Sequence, residues 1–165
     1  HKNKSCTFIG VDPVQEMCQI AQSNLPKNEG ENIKFCKSDF LDYEVNDKVS
    51  IYISYYTMQF IHTSVRQVFI DKIYETLDWG GAFFVFEKIR APDARFQDYM
   101  NQIYTEYKIK KDYTPQNIIA KSQSLKGVLE PFSRDGNLGL LQRAGFKDIM
   151  SVYKFICFEG FLAIK

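Results

Sequence analysis

Short apolar runs alternate along this chain with longer stretches whose apolar residues recur at helical spacing. Residues 7–12 (Thr-Phe-Ile-Gly-Val-Asp) read as a buried strand. Val14, Met17, Cys18, Ala21 and Leu25 then mark one face of a helix over residues 14–24, with Asp12-Pro13 suited to opening it. Leu25-Pro26-Lys27-Asn28-Glu29-Gly30 is a breaker cluster. Residues 33–37 form a second short strand, 42–47 a polar connection, and 49–56 a third strand, nearly all β-branched or aromatic. Ser64 is predicted to cap a helix carrying Val65, Phe69, Ile73 and Leu77, and Asp78-Trp79-Gly80-Gly81 to stop it. Residues 82–87 (Ala-Phe-Phe-Val-Phe-Glu) are apolar enough to be central in a parallel sheet.

Residues 91–127 differ from the rest. They read as two polar-rich helices, 93–110 and 114–126, with no strand between them, and so as an insertion or cap. Ser133 is predicted to cap a helix ending at Ala144, with Gly145 at the C′ position. Two last strands, 148–153 and 155–164, leave room at Tyr153-Lys154 only for a tight turn, so they pair antiparallel. The order β-α-β-β-α-β-(helices)-α-β-β predicts an α/β fold: a Rossmann-like three-layer sandwich, mostly parallel, ending in an antiparallel hairpin.

Composition narrows the function. At 165 residues, one domain spanning 1–165 is expected, with 91–127 inside it. A net charge of +1 gives no global field to recruit nucleic acid or a membrane surface, which argues against direct nucleic-acid binding. No apolar run approaches the ~20 residues of a membrane span. Cys6, Cys18, Cys36 and Cys157 make no CxxC pair and no zinc spacing, which suits idle thiols in a reducing cytoplasm and no metal site. Ten tyrosines and fourteen phenylalanines suit either a Phe-rich core or a π-lined pocket.

Two of the apolar runs lead into an aspartate, Asp12 and Asp39. Ligands of open α/β sheets bind at the carboxyl ends of strands. An acid on one strand can grip a ribose diol, and an acid on the next can reach an exocyclic amine on a base. The pair suggests a nucleoside site that need not hold a pyrophosphate. The alternatives are an N-cap carboxylate for Asp12 and a turn aspartate beside a core phenylalanine for Asp39. No Ser-His-Asp set or phosphate-cradling loop is present, and no catalytic residue stands out. His62 tempts a base assignment but has no predictable partner.

A wider resemblance rests on particular blocks. They are Tyr55-Tyr56-Thr57-Met58-Gln59-Phe60, Arg66-Gln67, Asp71-Lys72-Ile73-Tyr74, Leu77-Asp78-Trp79-Gly80-Gly81-Ala82, Phe86-Glu87-Lys88 and Ala144-Gly145-Phe146. From about Ser5 to its end the chain resembles the carboxy-S-adenosylmethionine (carboxy-SAM) synthase family. That resemblance implies a class I methyltransferase fold, for which the C-terminal hairpin is typical. It also implies S-adenosylmethionine (SAM) or carboxy-SAM as the bound cofactor, and synthesis of carboxy-SAM from SAM and prephenate for use on the tRNA wobble uridine. A cytoplasmic homodimer acting on a small-molecule acceptor goes with it. Such folds carry a glycine-rich loop after their first strand. The chain is therefore expected to begin inside the first helix, N-terminally incomplete, without that strand and loop.

By the same resemblance Asp12 is the ribose-binding acid and Pro13 the next contact position. Asp39 would accept from the adenine amino group while Phe40 donates its N–H and stacks. Tyr55 and Tyr56 would lie beside the sulfonium, whose charge suits aromatic faces. The family holds its added carboxylate with an arginine of the insertion, where Ser122 stands here, next to Lys121, and it has asparagine where Tyr55 stands. A lysine does not replace a guanidinium fork. Both differences fall on the part that selects carboxy-SAM, so a plain SAM methyltransferase remains an alternative. Arg90 and Arg95 could hold an acidic acceptor. Glu87 and Lys88 read either as site residues or, preferred, as a mutual surface ion pair. Lys108, Lys110, Lys111, Lys121 and Lys126, interleaved with Tyr104, Tyr107 and Tyr113, read as a solvated basic face in preference to an RNA contact. Two other readings stay open: a nicotinamide-dependent Rossmann oxidoreductase, which predicts no role for Asp39, and a scaffold that kept the fold and lost the site.

Overall fold

The computed structural model describes residues 6–26, 30 and 32–165, and the chain falls into two units, residues 1–46 and residues 47–165. In the first, β1 (Phe8–Asp12) and β2 (Ile33–Lys37) pair in parallel, Phe8 opposite Ile33 through to Asp12 opposite Lys37. Parallel pairing needs a crossover, and α1 (Gln15–Ser23) supplies it. Gly10 has to be glycine because Phe35 covers it: an added Cβ would lie 2.6 Å from the Phe35 ring. Pro13 lies ahead of the helix and does not open it; α1 is entered instead through Asp12, whose Oδ1 accepts from the Val14 N–H at 2.8 Å. Within the predicted breaker cluster, residues 27–29 lie outside the described residues.

The second unit holds β3 (Val49–Tyr55), α2 (Arg66–Thr76), β4 (Leu77–Lys88), α3 (Ala94–Ile109), α4 (Pro115–Ser124), α5 (Arg134–Ala144), β5 (Asp148–Phe155) and β6 (Phe158–Ile164). Its sheet runs β3-β4-β6-β5. The β3–β4 pair is parallel, and β4–β6 and β5–β6 are antiparallel. The strand with the most continuous apolar run, β4, is interior, as its sequence predicts. Phe83 and Val85 face the core on β4, with Ala163 and Phe161 opposite them on β6, all 1% exposed or less. Phe146, just past α5, packs its ring on Tyr74 of α2 and Phe83 of β4, with centroids 4.9 and 6.1 Å away. Each buried phenylalanine contributes roughly 2–3 kcal/mol of transfer free energy. On β3, Ile51, Ile53 and Tyr55 remain more than half exposed.

Ser64 does not cap α2. It lies in a 3-10 turn (Thr63–Val65), where His62 Nδ1 meets the Ser64 hydroxyl at 2.7 Å, so His62 has a local structural job. Leu77 begins β4 and does not end α2. Asp78–Gly81 does not end the element before it but bulges within β4, because the register jumps from Val49–Leu77 to Ile51–Ala82. Lys165 holds that bulge through its backbone, accepting from Gly80 and donating to Gly81. The hairpin turn sits at Ile156-Cys157, three residues beyond Tyr153, and a register shift between Ser151 and Tyr153 absorbs the difference. Ile156 takes φ 51, a conformation unusual for a β-branched residue and invisible to turn-residue rules.

Candidate functional site

In the first unit both aspartates stand at the carboxyl edge of the two-stranded sheet. Asp12 ends β1 opposite Lys37, and Asp39 follows Lys37 by two residues. The Ser38 N–H donates to the Asp12 carbonyl at 3.1 Å, which ties the two strand ends together. Each carboxylate bends over its own chain in the same way. Asp12 Oδ1 accepts from Val14 and Asp39 Oδ1 from Leu41, both at 2.8 Å. The local capping role is therefore present at both acids. Backbone amides fix one oxygen of each acid, and among the described residues no hydrogen bond reaches Oδ2. Fixed acceptors at neighbouring strand ends suit a ligand rich in hydroxyl and amine donors. Phe40 is half-buried beside Asp39, while Pro13 is exposed and offers no N–H.

In the second unit the carboxyl end of β3 carries the tyrosine pair. Tyr55 is 62% exposed and Tyr56 sits at φ 55, with its N–H donating to the Phe86 carbonyl at 2.8 Å. Their ring centroids are 4.3 Å apart. Burial, helped by the Tyr55 hydroxyl, pushes Tyr56 up to about 12, so it stays a neutral phenol at ordinary pH. Phe158 meets the Tyr56 ring edge-on at 5.3 Å, and Tyr104 of α3 meets Phe158 at the same distance. The helical insertion thus closes onto the end of the sheet through aromatic contacts.

Sequence reading missed the role of Glu87. It forms no surface ion pair with Lys88; it is 1% exposed, and its Oε1 and Oε2 accept from the Met58 and Gln59 N–H groups, each at 2.9 Å. Gln59 extends the clasp, accepting from the Lys88 N–H through Oε1 and donating to the Tyr56 carbonyl. Arg66, also 1% exposed, donates to the Ile61 and Gln59 carbonyls and lies 4.4 Å over the Phe132 ring. Burial pushes Glu87 up to about 7, against the backbone amides and Arg66, which pull it down. The loop that follows Tyr56 is therefore pinned by a carboxylate from the next strand. Only the pairing of Met58 with Glu87 across the fold reveals this; the Glu-Lys dipeptide itself carries no such signal.

The acceptor-side candidates are placed more loosely. Arg90 is exposed, with its backbone N–H bonded to the Phe132 carbonyl, and Arg95 is exposed in the first turn of α3. Ser122 and Lys121 are both exposed on α4. Among the described residues no hydrogen bond or ion pair joins either side chain to the tyrosine pair. Among the lysines of the insertion, Lys108 leaves the solvated face: its Nζ lies 4.3 Å from the Tyr104 centroid.

Comparison with known proteins decides the family. A family profile described as "Methyltransferase domain" matches residues 1–81. The carboxy-S-adenosyl-L-methionine synthase of Staphylococcus epidermidis is 35% identical over 162 residues, covering 98% of this chain and 69% of that protein. The enzyme of the same name from Campylobacter jejuni is 36% identical over 98% of this chain and 68% of its own length. This chain belongs to the carboxy-SAM synthase family.

Solved structures agree on the fold. Human N-acetylserotonin methyltransferase, solved in complex with SAM, superposes with TM-score 0.63 at 18% identity over 97% of this chain. The pyocyanin biosynthetic protein PhzM gives 0.65 at 15% over 96%. The chain spans about two fifths of those two molecules, 41% and 43%. As a class I methyltransferase fold of the carboxy-SAM synthase family, it places Asp12 and Asp39 at a strand-end edge, where the fold's resemblance expects nucleoside contacts. The family's SAM-dependent transfer asks for alignment more than for acid–base groups. That suits the lack of a catalytic cluster in the sequence.

Proposed function

We propose that this chain is the SAM-binding part of a transferase of the carboxy-SAM synthase type. Asp12 and Asp39, as fixed acceptors on one edge, carry this reading. Asp12 would take the ribose hydroxyls and Asp39 the adenine amine, with Phe40 against the base. The cofactor supplies an activated carbon on a sulfonium. Tyr55 and Tyr56 offer aromatic faces suited to that charge. Glu87, through Met58 and Gln59, keeps the loop behind Tyr56 in place. The acceptor is a small molecule, and the product serves the wobble uridine of tRNA as in the family. A homodimer belongs to the same proposal.

Tyr55 and Ser122 favour a second reading, conventional methyl transfer, because the family's asparagine and arginine are absent from those positions. Native mass spectrometry of the full-length protein purified from cells separates the two. Bound SAM carrying an extra carboxyl supports carboxy-SAM synthesis, and SAM with a bare methyl supports ordinary transfer. Recovery of a nicotinamide dinucleotide instead would overturn both.

A further inference from the structure

Successive residues of an extended chain point to opposite faces of a sheet. Tyr55 and Tyr56, at the end of β3, do not follow this: their rings meet, with centroids 4.3 Å apart. The cause is the backbone of Tyr56. Its N–H still pairs with the Phe86 carbonyl at 2.8 Å, as a strand residue would, but its φ is 55, in the left-handed region. A tyrosine has no preference for that region and stays there only where its surroundings over-determine it.

The side chain of Gln59 supplies that constraint. Its Nε2 donates to the Tyr56 carbonyl at 3.4 Å, and its Oε1 accepts from the Lys88 N–H at 3.0 Å. The Lys88 N–H needs an acceptor, which fixes the way the amide faces. One side chain therefore spans from the peptide after Tyr56 to the end of β4. Its own backbone is held from three directions. The Gln59 N–H donates to Glu87 at 2.9 Å, and its carbonyl accepts from Arg66 Nη2 at 3.2 Å and from the Glu130 N–H at 3.1 Å. At 7% exposure, water does not readily replace these bonds. Glu87 holds the 3-10 turn Met58–Phe60, whereas the Gln59 amide reaches back to Tyr56.

We propose that Gln59 is a positioning residue, whose amide keeps Tyr56 left-handed and so brings the two tyrosine rings together for the cofactor. This rests on the transferase reading for the cofactor, though not for the geometry. A hydrocarbon side chain at position 59 leaves the Lys88 N–H and the Tyr56 carbonyl without these partners. The peptide after Tyr56 is then free to return to an extended conformation, which swings its ring away from Tyr55.

Nuclear magnetic resonance of the full-length protein tests it. A left-handed residue brings its own N–H and Hα close, so wild-type Tyr56 should give a strong intraresidue Overhauser cross-peak. The Gln59 amide protons should give cross-peaks to residues 56 and 88. Gln59→Met should lose the strong Tyr56 peak while the core resonances of Phe83 and Phe146 stay in place. Calorimetry should then show SAM bound at least about tenfold more weakly by that variant. An unchanged Tyr56 peak in Gln59→Met would overturn the proposal. So would wild-type Gln59 amide protons with no cross-peak to residues 56 and 88, a result that needs no variant to fold. Tyr56→Ala keeps the two readings apart. SAM affinity lowered by Tyr56→Ala but not by Gln59→Met overturns the positioning role. SAM affinity unchanged by Tyr56→Ala sinks the place of Tyr56 beside the sulfonium and leaves the hold of Gln59 on its backbone standing.

Discussion

Glu87 and Glu159 stand directly opposite each other on β4 and β6, each 1% exposed. Like charges at such a cross-strand position destabilise a sheet. The two acids are compensated from different sides. Glu87 takes two backbone amides of the Met58–Gln59 loop, whereas Glu159 takes the Arg134 Nε at 3.1 Å and leaves its Oε2 without a partner. Two acidic side chains thus sit inside the fold, and Glu87 is the one tied to the candidate site.

Stability should therefore depend on pH through Glu87. Its pKa in the folded chain is about 7, above the ordinary 4.5. The folded state holds the proton more tightly, so this contribution is present in full below the ordinary value. It is lost as pH rises from there through about 7. The loss amounts to about 3 kcal/mol across that window. Urea unfolding from pH 4.5 to 8 checks it. The wild type should lose stability towards pH 7, and Glu87→Gln should lack that slope while being less stable at acid pH, where its amide faces an N–H donor.

Arg66 holds the other side of the same loop. Replacing it with methionine leaves the Gln59 and Ile61 carbonyls without their buried donor and Glu87 without its cation. The expected cost is about 3–5 kcal/mol, and lysine should recover only a small part of it because it lacks the planar fork. Chemical denaturation of Arg66→Met and Arg66→Lys measures this. Equal stability of the lysine variant and the wild type would contradict it.

Gly160 lies under the Phe86 ring, and an added Cβ would meet Phe86 at 2.5 Å. Phe86 is also in contact with Tyr55, with centroids 5.6 Å apart. Gly160→Ala should cost about 1–3 kcal/mol through overpacking and should disturb the tyrosine pair. Near-ultraviolet circular dichroism reports the second effect and thermal unfolding the first. An unchanged aromatic spectrum would show that Phe86 does not position Tyr55.

Much of the fold was legible because periodicity reports burial. The 33–37 run became β2, the apolar 82–87 run became the interior of β4, and Gly145 ends α5 at φ 120 with the Tyr74 ring where a Cβ would go. Features that depend on partners remote in sequence were not legible. Asp78-Trp79-Gly80-Gly81 looks like a stop signal until the backbone of Lys165 pairs with it. An isoleucine at φ 51 is not a turn signal, so turn-residue rules put the hairpin three residues too early. Asp12 and Asp39 were readable as strand-end acids, since short strands declare their ends. Glu87 was not, because 29 positions separate it from Met58 and only folding brings them into contact.

Calorimetric titration of SAM into the full-length protein, wild type against Asp39→Asn, tests the nucleoside edge most directly. Asn keeps the Oδ1 acceptor for Leu41 and removes the charged acceptor proposed for the adenine amine. The expected result is wild-type binding and at least about tenfold weaker binding in the variant, with unfolding midpoints matched. SAM affinity that is the same in both proteins would contradict it.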